Sequence, residues 1–172
     1  MRLFVRILIF WPLFFGYVMA DTPKTIYGYI EKATLVDKQL TLSAKLDTGA
    51  KSASLNATHI TVVEVDGKPY LNFIVPSKTG DITFQCEYIG DVFIKVRAAE
   101  RHGNPLLRTS VKRPVVKMHI KLGDKERVIE VNLTNRKRFI YPLLLGRQAI
   151  IAFNGIVDPS LRYAITKKLD HQ

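Results

Sequence analysis

One tetrapeptide of this chain, Asp47-Thr48-Gly49-Ala50, combines residue types that can do chemistry. It directly follows residues 40–46, where apolar and polar side chains alternate as they do in a half-buried strand. A carboxylate at the end of such a strand is costly to bury unless it has partners. Gly49 permits a tight turn that brings backbone N–H groups to the carboxylate, and the Thr48 hydroxyl can tie the turn to a neighbour. A carboxylate held in this way can take a proton from water when a second carboxylate shares the task, which is the chemistry of aspartic proteases.

The chain supplies one carboxylate of this kind. Of its 15 Asp and Glu residues, only Asp47 precedes a Thr-Gly pair. Asp158 follows the apolar pair Ile156-Val157 but lacks the turn, so we expect it to have a structural role, such as capping or pairing with an Arg. A mechanism with two carboxylates therefore requires two chains, and a twofold homodimer would bring Asp47 and its symmetry mate together. Repulsion between the two charges would raise one pKa, so that the pair holds one proton.

The other reactive residue types predict neither a metal site nor a cofactor. A catalytic zinc ion needs about three converging His or carboxylate ligands, whereas the histidines here are scattered and form no His-Glu-x-x-His pattern. The four are His59, His102, His119 and His171. The sequence contains no glycine-rich phosphate-binding loop. The single cysteine, Cys86, excludes an internal disulfide and a thiolate zinc cluster, and its alternating surroundings predict a small buried apolar residue.

Alternating and β-branched segments dominate the rest of the chain and predict an all-β fold. Further strands are predicted at residues 60–65, 70–75, 82–88, 92–96, 115–122 and 129–133. Turn signals separate them at residues 66–67, 78–80, 90–91, 102–105 and 123–124. Residues 147–153 combine good helix formers with little alternation and precede Asn154-Gly155, which predicts one short helix. The spacing indicates a small barrel or sandwich of hairpins in one domain, residues 21–172.

The first 20 residues have the pattern of a secretory signal peptide. Arg2 and Arg6 accompany an apolar run at residues 7–15, and Val18-Met19-Ala20 offers small residues for cleavage before Asp21. The run is short for a membrane span, which needs about 20 residues. We therefore expect a periplasmic or secreted protein without stable membrane insertion after cleavage, and the alternative is an uncleaved anchor.

The charge of the chain restricts its partners. With 26 Lys and Arg against 15 acids, the net charge is +11, and it falls to +9 without the first 20 residues, which contain two Arg and no acid. Such a charge favours acidic partners. The basic residues cluster at 112–113 and 136–138, and no recognition motif for nucleic acid accompanies them. We expect an acidic peptide or protein as partner, or an ordinary basic surface, rather than nucleic acid.

Three longer stretches add a resemblance to a known family. Residues 47–57, 113–116 and 141–147 are similar to the RimK-associated retropepsin-like endopeptidases, RimB, a bacterial group earlier described as ATP-dependent zinc proteases. The last stretch ends in Leu144-Leu145-Gly146-Arg147, which resembles the segment that retropepsins place before their short C-terminal helix. The similarity runs from about residue 28 to residue 163. Asp47 and Gly146 lie 99 residues apart, further than in the small retroviral enzymes, which implies insertions between them.

The resemblance implies a retropepsin-like closed barrel with one short C-terminal helix, as one protomer of a twofold dimer without zinc, ATP or another cofactor. The implied catalytic residues are Asp47, Thr48 and Gly49, and Ala50 is the implied substrate-binding residue beside them. Lys51 and Arg113 are candidates for binding an acidic substrate through their charge, and the alternative for both is a solvated surface role. Gly146 and Arg147 would be structural residues near the site. We expect Arg147 to anchor the helix to the active-site turn or to the dimer interface by an ion pair, and the alternative is a contact with substrate.

Two features leave alternatives open. Lys51 and Asn56 stand where the group has Arg and His, which affects substrate preference rather than the carboxylate. A flap hairpin that closes over substrate is expected at residues 101–105, and the alternative is residues 77–80. The sequence therefore predicts an exported, homodimeric aspartic endopeptidase that prefers glutamate-rich peptides. The alternative is a weakly active or non-catalytic binding or regulatory protein on the same scaffold.

Overall fold

The computed structural model describes residues 22–95 and 110–165; the predicted signal peptide and the hairpin predicted at 101–105 lie outside these ranges. The described elements are β1 (Thr25–Leu35), a 3-10 turn (Val36–Lys38), β2 (Leu40–Asp47), β3 (Ala53–Asn56), β4 (Thr58–Val65), β5 (Lys68–Val75), β6 (Ile82–Lys95), β7 (Ser110–Leu122), β8 (Lys125–Thr134), β9 (Leu143–Gly146), α1 (Arg147–Ala152) and β10 (Gly155–Arg162). The predominance of strands confirms the predicted all-β class.

Six of the strands pair in a closed ring. The order around it is β1, β2, β9, β3, β8 and β7, and β7 returns to β1 through the pairs Ala33–Leu122 and Leu35–Ile120. Neighbours are antiparallel except for two parallel pairs, β2 with β9 and β3 with β8. This ring of hydrogen bonds leaves no free edge among its members and confirms the predicted closed barrel.

The remaining strands extend the sheet beyond the ring. β10 pairs in parallel with β1, while β6, β5 and β4 continue outward from β7 as antiparallel neighbours. The turn predicted at Gly90-Asp91 is wrong, because β6 runs unbroken from Ile82 to Lys95. The register shifts between Tyr88 and Gly90, and Gly90 has a φ of +128°, so the glycine marks a β-bulge rather than the end of a strand.

The buried apolar side chains form one core, which includes the ring strands and extends to β5 and β6 outside the ring. Along β2 the burial alternates as the sequence predicted, with the apolar side chains Leu40, Leu42, Ala44 and Leu46 inside. Cys86 on β6 is buried, as predicted, and the burial raises the pKa of its thiol to about 12. Phe73 and Phe84 stack between β5 and β6 with ring centroids 5.7 Å apart.

The predicted short helix is confirmed as α1, which begins at Arg147 and ends at Ala152. Phe153 caps its C-terminus, and Asn154 then takes the left-handed conformation, with a φ of +49°, that turns the chain into β10. No helix within residues 22–95 and 110–165 has the length and apolar character that crossing a bilayer requires. The N-terminus of α1 lies beside the end of β2, and this neighbourhood forms the site.

Candidate active site

Asp47 ends β2, and its carboxylate closes the turn that follows. Its Oδ1 atom accepts a hydrogen bond from the Gly49 N–H at 3.0 Å, and its carbonyl accepts one from the Ala50 N–H at 3.2 Å. A Cβ atom at Gly49 would lie 3.2 Å from Oδ1, so a larger residue there would crowd the carboxylate. The predicted turn around the carboxylate is therefore present. The bond that fastens Thr48 is accepted by its carbonyl rather than made by its hydroxyl.

The parallel pairing of β2 with β9 brings this turn against the start of α1. Asp47 lies opposite Gly146 in the register. The Arg147 N–H then donates to the Ala50 carbonyl at 2.9 Å, and the Gln148 N–H donates to the Lys51 carbonyl at 3.1 Å. N–H groups at the start of a helix have no partner inside the helix, so the active-site turn supplies what α1 lacks.

Gly146 is required at this point because of space rather than conformation. Its φ of −82° is open to any residue. A Cβ atom, however, would lie 2.6 Å from the Ser52 carbonyl oxygen and 2.9 Å from that of Ala50. Both are backbone atoms and cannot move aside without displacing the turn. The predicted structural role of Gly146 thus has a direct physical cause.

Arg147 holds the same turn with its side chain. Its Nη1 atom donates to the carbonyl oxygens of Thr48 at 3.1 Å and Gly49 at 3.3 Å. These two hydrogen bonds join the start of the helix to the turn that follows Asp47. The anchor consists of hydrogen bonds to backbone carbonyls, where the sequence predicted an ion pair.

Lys45 is the charged neighbour of Asp47, and sequence reasoning missed it. Its Nζ atom lies 3.3 Å from Asp47 Oδ2, and the two side chains are 45% and 27% exposed. Partial burial acts to raise the pKa of Asp47, but the Gly49 N–H and the Lys45 ammonium together outweigh it, so the pKa lies below its usual value. In a single protomer Asp47 is therefore ionised at neutral pH.

Asp47 opens into a cleft of about 490 Å³ whose lining is strongly basic. Five cationic side chains from β2, β6, β7 and the segment between β8 and β9 line it: Lys45, Lys95, Arg113, Arg136 and Arg138. The apolar and aromatic part of the lining consists of Ile94, Phe139, Ile140, Tyr141 and Leu144. Among the described lining residues Asp47 is the only acid. The volume falls in the range of ligand-binding clefts, and the charge attracts anionic groups.

Arg136 is the most constrained of these cations, being only 6% exposed. Its Nη1 donates to Ser54 Oγ at 3.3 Å, its Nε donates to the Tyr141 carbonyl at 3.3 Å, and its guanidinium lies 4.2 Å from the centroid of the Phe139 ring. Burial, and then the charge of Arg113, lowers its pKa, while the charge of Asp47 acts in the opposite direction. The charges of Asp47 and Arg113 are therefore close enough to affect the pKa of Arg136.

The structure brings two of the three predicted substrate-binding residues to the cleft. Ala50 and Arg113 line it with Asp47, whereas Lys51 is exposed and lies outside the lining. Arg113 is half-buried on β7 and donates from Nη1 to Asn132 Oδ1 at 3.4 Å. Asn132 in turn donates from Nδ2 to Ser52 Oγ and to the Ala53 carbonyl, which links Arg113 to the segment after the turn.

The end of β6, which precedes residues 96–109, reaches the cleft, since Ile94 and Lys95 line it. The flap predicted at 101–105 lies outside the described residues. The alternative, residues 77–80, forms the turn between β5 and β6, and none of its side chains is in the cleft lining.

Asp158 and the described histidines do not belong to this site. Asp158 Oδ1 accepts hydrogen bonds from the Ser160 N–H at 2.8 Å and from Ser160 Oγ at 2.6 Å, so it caps a local turn, as predicted. His59 is exposed beside Thr58, and His119 Nε2 lies 3.4 Å from Glu126 Oε2 on the next strand. The part of the chain that the structure describes contains no group of three His, Cys, Asp or Glu side chains able to hold a metal ion.

Comparison with known proteins gives one family and two kinds of relative. The family model for the RimB-like retropepsin-like aspartic endopeptidases matches residues 26–168. Proteins named probable alpha-L-glutamate ligase are 30% identical over 75% of this chain in Shewanella pealeana and 30% identical over 84% in Desulfotalea psychrophila. The chain spans only 27% and 30% of those proteins' lengths. A crystal structure of a Legionella pneumophila protein of unknown function is 61% identical, with a TM-score of 0.69 over 81% of this chain and 97% of that one.

Proposed function

This chain belongs to the RimB-like family of retropepsin-like aspartic endopeptidases, and on that premise we propose that it is an exported aspartic endopeptidase that works as a homodimer on acidic peptides. The observation that carries the proposal is the Asp47 carboxylate. A backbone N–H fixes it at the end of a strand, and it opens into a cleft whose other charged lining residues, among those described, are all cationic.

The dimer follows from counting carboxylates. Hydrolysis of an amide by this mechanism needs one carboxylate as base and a second as acid. The described lining of the cleft offers only Asp47. A twofold axis beside the turn would supply the second carboxylate as Asp47 of the partner subunit.

In the proposed reaction the pair holds one proton at the start. The ionised Asp47 takes a proton from water as the water oxygen attacks the peptide carbonyl carbon, and the partner's Asp47 gives its proton to the carbonyl oxygen. The resulting gem-diol then collapses. The first carboxyl protonates the leaving nitrogen, the second recovers a proton from a gem-diol hydroxyl, and the C–N bond breaks. One acid and one amine are released, and the pair again holds one proton.

The preference for acidic peptides rests on charge. Five cationic side chains around one catalytic carboxylate favour substrates whose side chains are anionic, because a cleft concentrates the field of its lining. Relatives named for the ligation of glutamate are consistent with a glutamate-containing substrate. More than two thirds of the length of those relatives has no counterpart in this chain, so their name supports a substrate class rather than an activity.

The test compares the full chain with two variants that each remove one carboxylate. Asp47→Asn removes the proposed catalytic group, and Asp37→Asn is the matched control, since exposed Asp37 precedes β2 at the opposite end of the strand from Asp47. Glutamate-rich peptides and glutamine-rich controls are incubated with each protein from pH 4 to pH 7.5 at several protein concentrations. We expect cleavage by the wild type and by Asp37→Asn, none by Asp47→Asn, and a rate that rises faster than linearly with protein concentration.

The same preparation tests export and assembly. Mass spectrometry of protein recovered from the periplasm should find Asp21 as the first residue, and the intact Met1 start in that fraction would contradict cleavage after Ala20. Analytical ultracentrifugation should find a dimer in the concentration range where cleavage occurs. A strict monomer that cleaves at a rate linear in its concentration would refute the two-chain mechanism.

One observation favours a second candidate, a non-catalytic binding protein for acidic peptides. In the single protomer Asp47 is paired with Lys45 at 3.3 Å, and the basic cleft could hold an acidic peptide without cutting it. Under this alternative, Asp47→Asn would bind glutamate-rich peptide at least as tightly as the wild type, and neither protein would cleave it.

A further inference from the structure

Lys45 and Asp47 are neighbours because a strand has a period of two. They are two residues apart on β2, so both side chains leave the same face while Leu46 between them enters the core. The Lys45 ammonium reaches Asp47 Oδ2 at 3.3 Å. The other oxygen, Oδ1, is occupied by the Gly49 N–H at 3.0 Å. Both oxygens of the carboxylate therefore have a donor in the protomer.

This arrangement conflicts with the two-carboxylate mechanism. A shared proton needs one carboxylate oxygen to face the partner's carboxyl group. An ammonium on that oxygen favours the ionised form and opposes the sharing. The Gly49 N–H cannot leave without unfolding the turn. Lys45 can leave, because it is 45% exposed and long, and the free energy of such partly exposed ion pairs is small.

We propose that Lys45 is a specificity-determining residue whose ammonium occupies Asp47 Oδ2 until an acidic side chain of the bound peptide draws it away. The inference rests on the proposed function and adds a role for one residue within it. A glutamate side chain bound in the cleft offers Lys45 a new partner and frees Oδ2 for the dyad. A neutral peptide offers no such partner, so Asp47 stays occupied. Selectivity for acidic peptides then acts on catalysis as well as on binding.

Other charges face Asp47 and remain when Lys45 moves. They come from the strands and the segment that form the cleft, and from the helix behind the turn: Lys95 on β6, Arg113 on β7, Arg136 and Arg138 after β8, and Arg147 on α1. Of these, three arginines already have hydrogen bonds within the protein: Arg113 to Asn132, Arg136 to Ser54 and Tyr141, and Arg147 to the turn carbonyls. The structure records a direct ion pair with Asp47 only for Lys45 among the described residues. Replacing Lys45 therefore removes the direct ion pair with Asp47 and leaves the positive potential of the other cations in place.

The experiment compares Lys45→Met and Lys45→Arg with the wild type in the full chain. Lys32→Met is the matched control, since Lys32 is a surface lysine on β1 that bonds Ser43 Oγ and lies over the Tyr163 ring, outside the cleft lining. Each protein is given two peptides that differ only in Glu against Gln at positions around the cleaved bond. The kcat and KM are measured for both peptides across pH 4 to pH 8.

We expect Lys45→Met to cleave the Gln peptide about two- to fivefold faster in kcat than the wild type does, which is the range that a partly exposed ion pair corresponds to. The ratio of kcat/KM for the Glu peptide to kcat/KM for the Gln peptide should be smaller in Lys45→Met than in the wild type. The activity of Lys45→Met should extend to higher pH, because the two carboxylates would keep their shared proton up to a higher pH. Lys45→Arg, which keeps the cation, should retain the preference for the Glu peptide that Lys45→Met loses, and Lys32→Met should behave as the wild type. If Lys45→Met only raises KM for the Glu peptide, Lys45 is an ordinary binding cation and the inference is overturned.

A readout without catalysis separates this inference from the proposed function. The pKa of the Asp47 carboxyl is followed by NMR in the wild type and in Lys45→Met, both without peptide. A higher pKa in Lys45→Met is expected, and an unchanged value would overturn the contact itself. If the pKa rises but no protein shows cleavage that depends on Asp47, the proposed function fails, and the role assigned to Lys45 in selectivity fails with it. If the wild type cleaves and Lys45→Met gains nothing on the Gln peptide, only the present inference fails.

Discussion

Replacing Gly146 with Ala should damage the site more than the fold. The new methyl group would lie 2.6 Å from the Ser52 carbonyl oxygen and 2.9 Å from the Ala50 carbonyl oxygen, distances at which backbone must shift. The Ala50 carbonyl also accepts the Arg147 N–H, so the shift breaks or lengthens a bond that fastens the turn. The backbone angle of Gly146 is ordinary, which leaves steric overlap as the cause.

Overpacking of this kind costs about 1–3 kcal/mol in the free energy of unfolding. For a chain of this size each kcal/mol lowers the melting temperature by about 2–4 °C, so the variant should remain folded at room temperature. The displaced segment carries the Gly49 N–H that fixes Asp47 Oδ1. Misplacement of a catalytic group by about 1 Å can cost about 100-fold in rate. We therefore expect a modest loss of stability and a loss of about tenfold or more in kcat.

The control is Gly155→Ala, a glycine with equal crowding elsewhere. A Cβ atom at Gly155 would lie 2.5 Å from the buried Tyr27 ring, and none of its near neighbours belongs to the active-site turn. Thermal unfolding and cleavage of a glutamate-rich peptide are measured for both variants, with rates expressed per mole of folded protein. Similar losses of stability with a selective loss of activity in Gly146→Ala are expected. A Gly146→Ala protein with wild-type activity would refute the view that close packing of the turn against Gly146 fixes the position of Asp47.

Three further predictions concern other parts of the molecule. Arg147→Ala should lose about 1 kcal/mol of stability in urea unfolding, because two hydrogen bonds from a charged donor disappear at an exposed position. The stability of Arg147→Lys should lie between those of Arg147→Ala and the wild type. Equal stability of all three proteins would contradict the anchoring role. Glu31 is fully buried, its Oε1 accepts the N–H groups of Gly28 and Ala164, and burial outweighs those bonds to raise its pKa. As the pH rises from below the ordinary pKa of Glu through the raised pKa of Glu31, the free energy of unfolding of the wild type should therefore fall relative to that of Glu31→Gln. A difference between the two proteins that does not change with pH would show that burial does not raise the pKa of Glu31. Raising the ionic strength from about 0.1 M to about 1 M shortens the screening length from about 10 Å to about 3 Å. The KM for a glutamate-rich peptide should therefore rise, while the KM for its glutamine counterpart should change little. Equal changes in the two KM values would argue against recognition by the basic cleft.

The sequence predicted the elements that alternate and missed those that do not. β2 could be predicted because one of its faces is buried and the other is exposed, so that apolar and polar residues alternate along it. β3 is buried at all four positions and β9 at three of four, so neither has a period for the sequence to reveal. β10 is half-exposed and contains Pro159, which argues against a strand unless it lies at a sheet edge, where β10 in fact lies. Gly90 looked like the end of a strand because a bulge and a turn use the same residue.

The candidate site divides in a similar way. Asp47, Gly49, Gly146 and Arg147 could be identified from local chemistry and family resemblance, since each acts within the turn and the helix start. Of the basic residues that share the cleft, only Arg113 was assigned to the site from the sequence, because β2, β6, β7 and the segment after β8 meet only through the closed ring. The cluster at residues 136–138 was visible as charge, but its position facing Asp47 depends on pairings between distant strands. The sequence analysis also missed Lys45, although the period of two along β2 was a signal that could have placed it beside Asp47.

The two oxygens of Asp47 illustrate how one carboxylate can be both fixed and free. Oδ1 is held by a backbone N–H, and that donor cannot leave because Arg147 and the start of α1 fasten the turn that carries it. Oδ2 is held by a partly exposed side chain, which can exchange partners at little cost. The fixed oxygen sets the direction of the carboxylate, as precise catalysis requires. Under the proposed role of Lys45, the exchangeable oxygen makes the protonation of Asp47 depend on the peptide that binds in the cleft. A site with backbone donors on both oxygens would be as well oriented but would keep its pKa low, and it could not share a proton with a partner carboxylate.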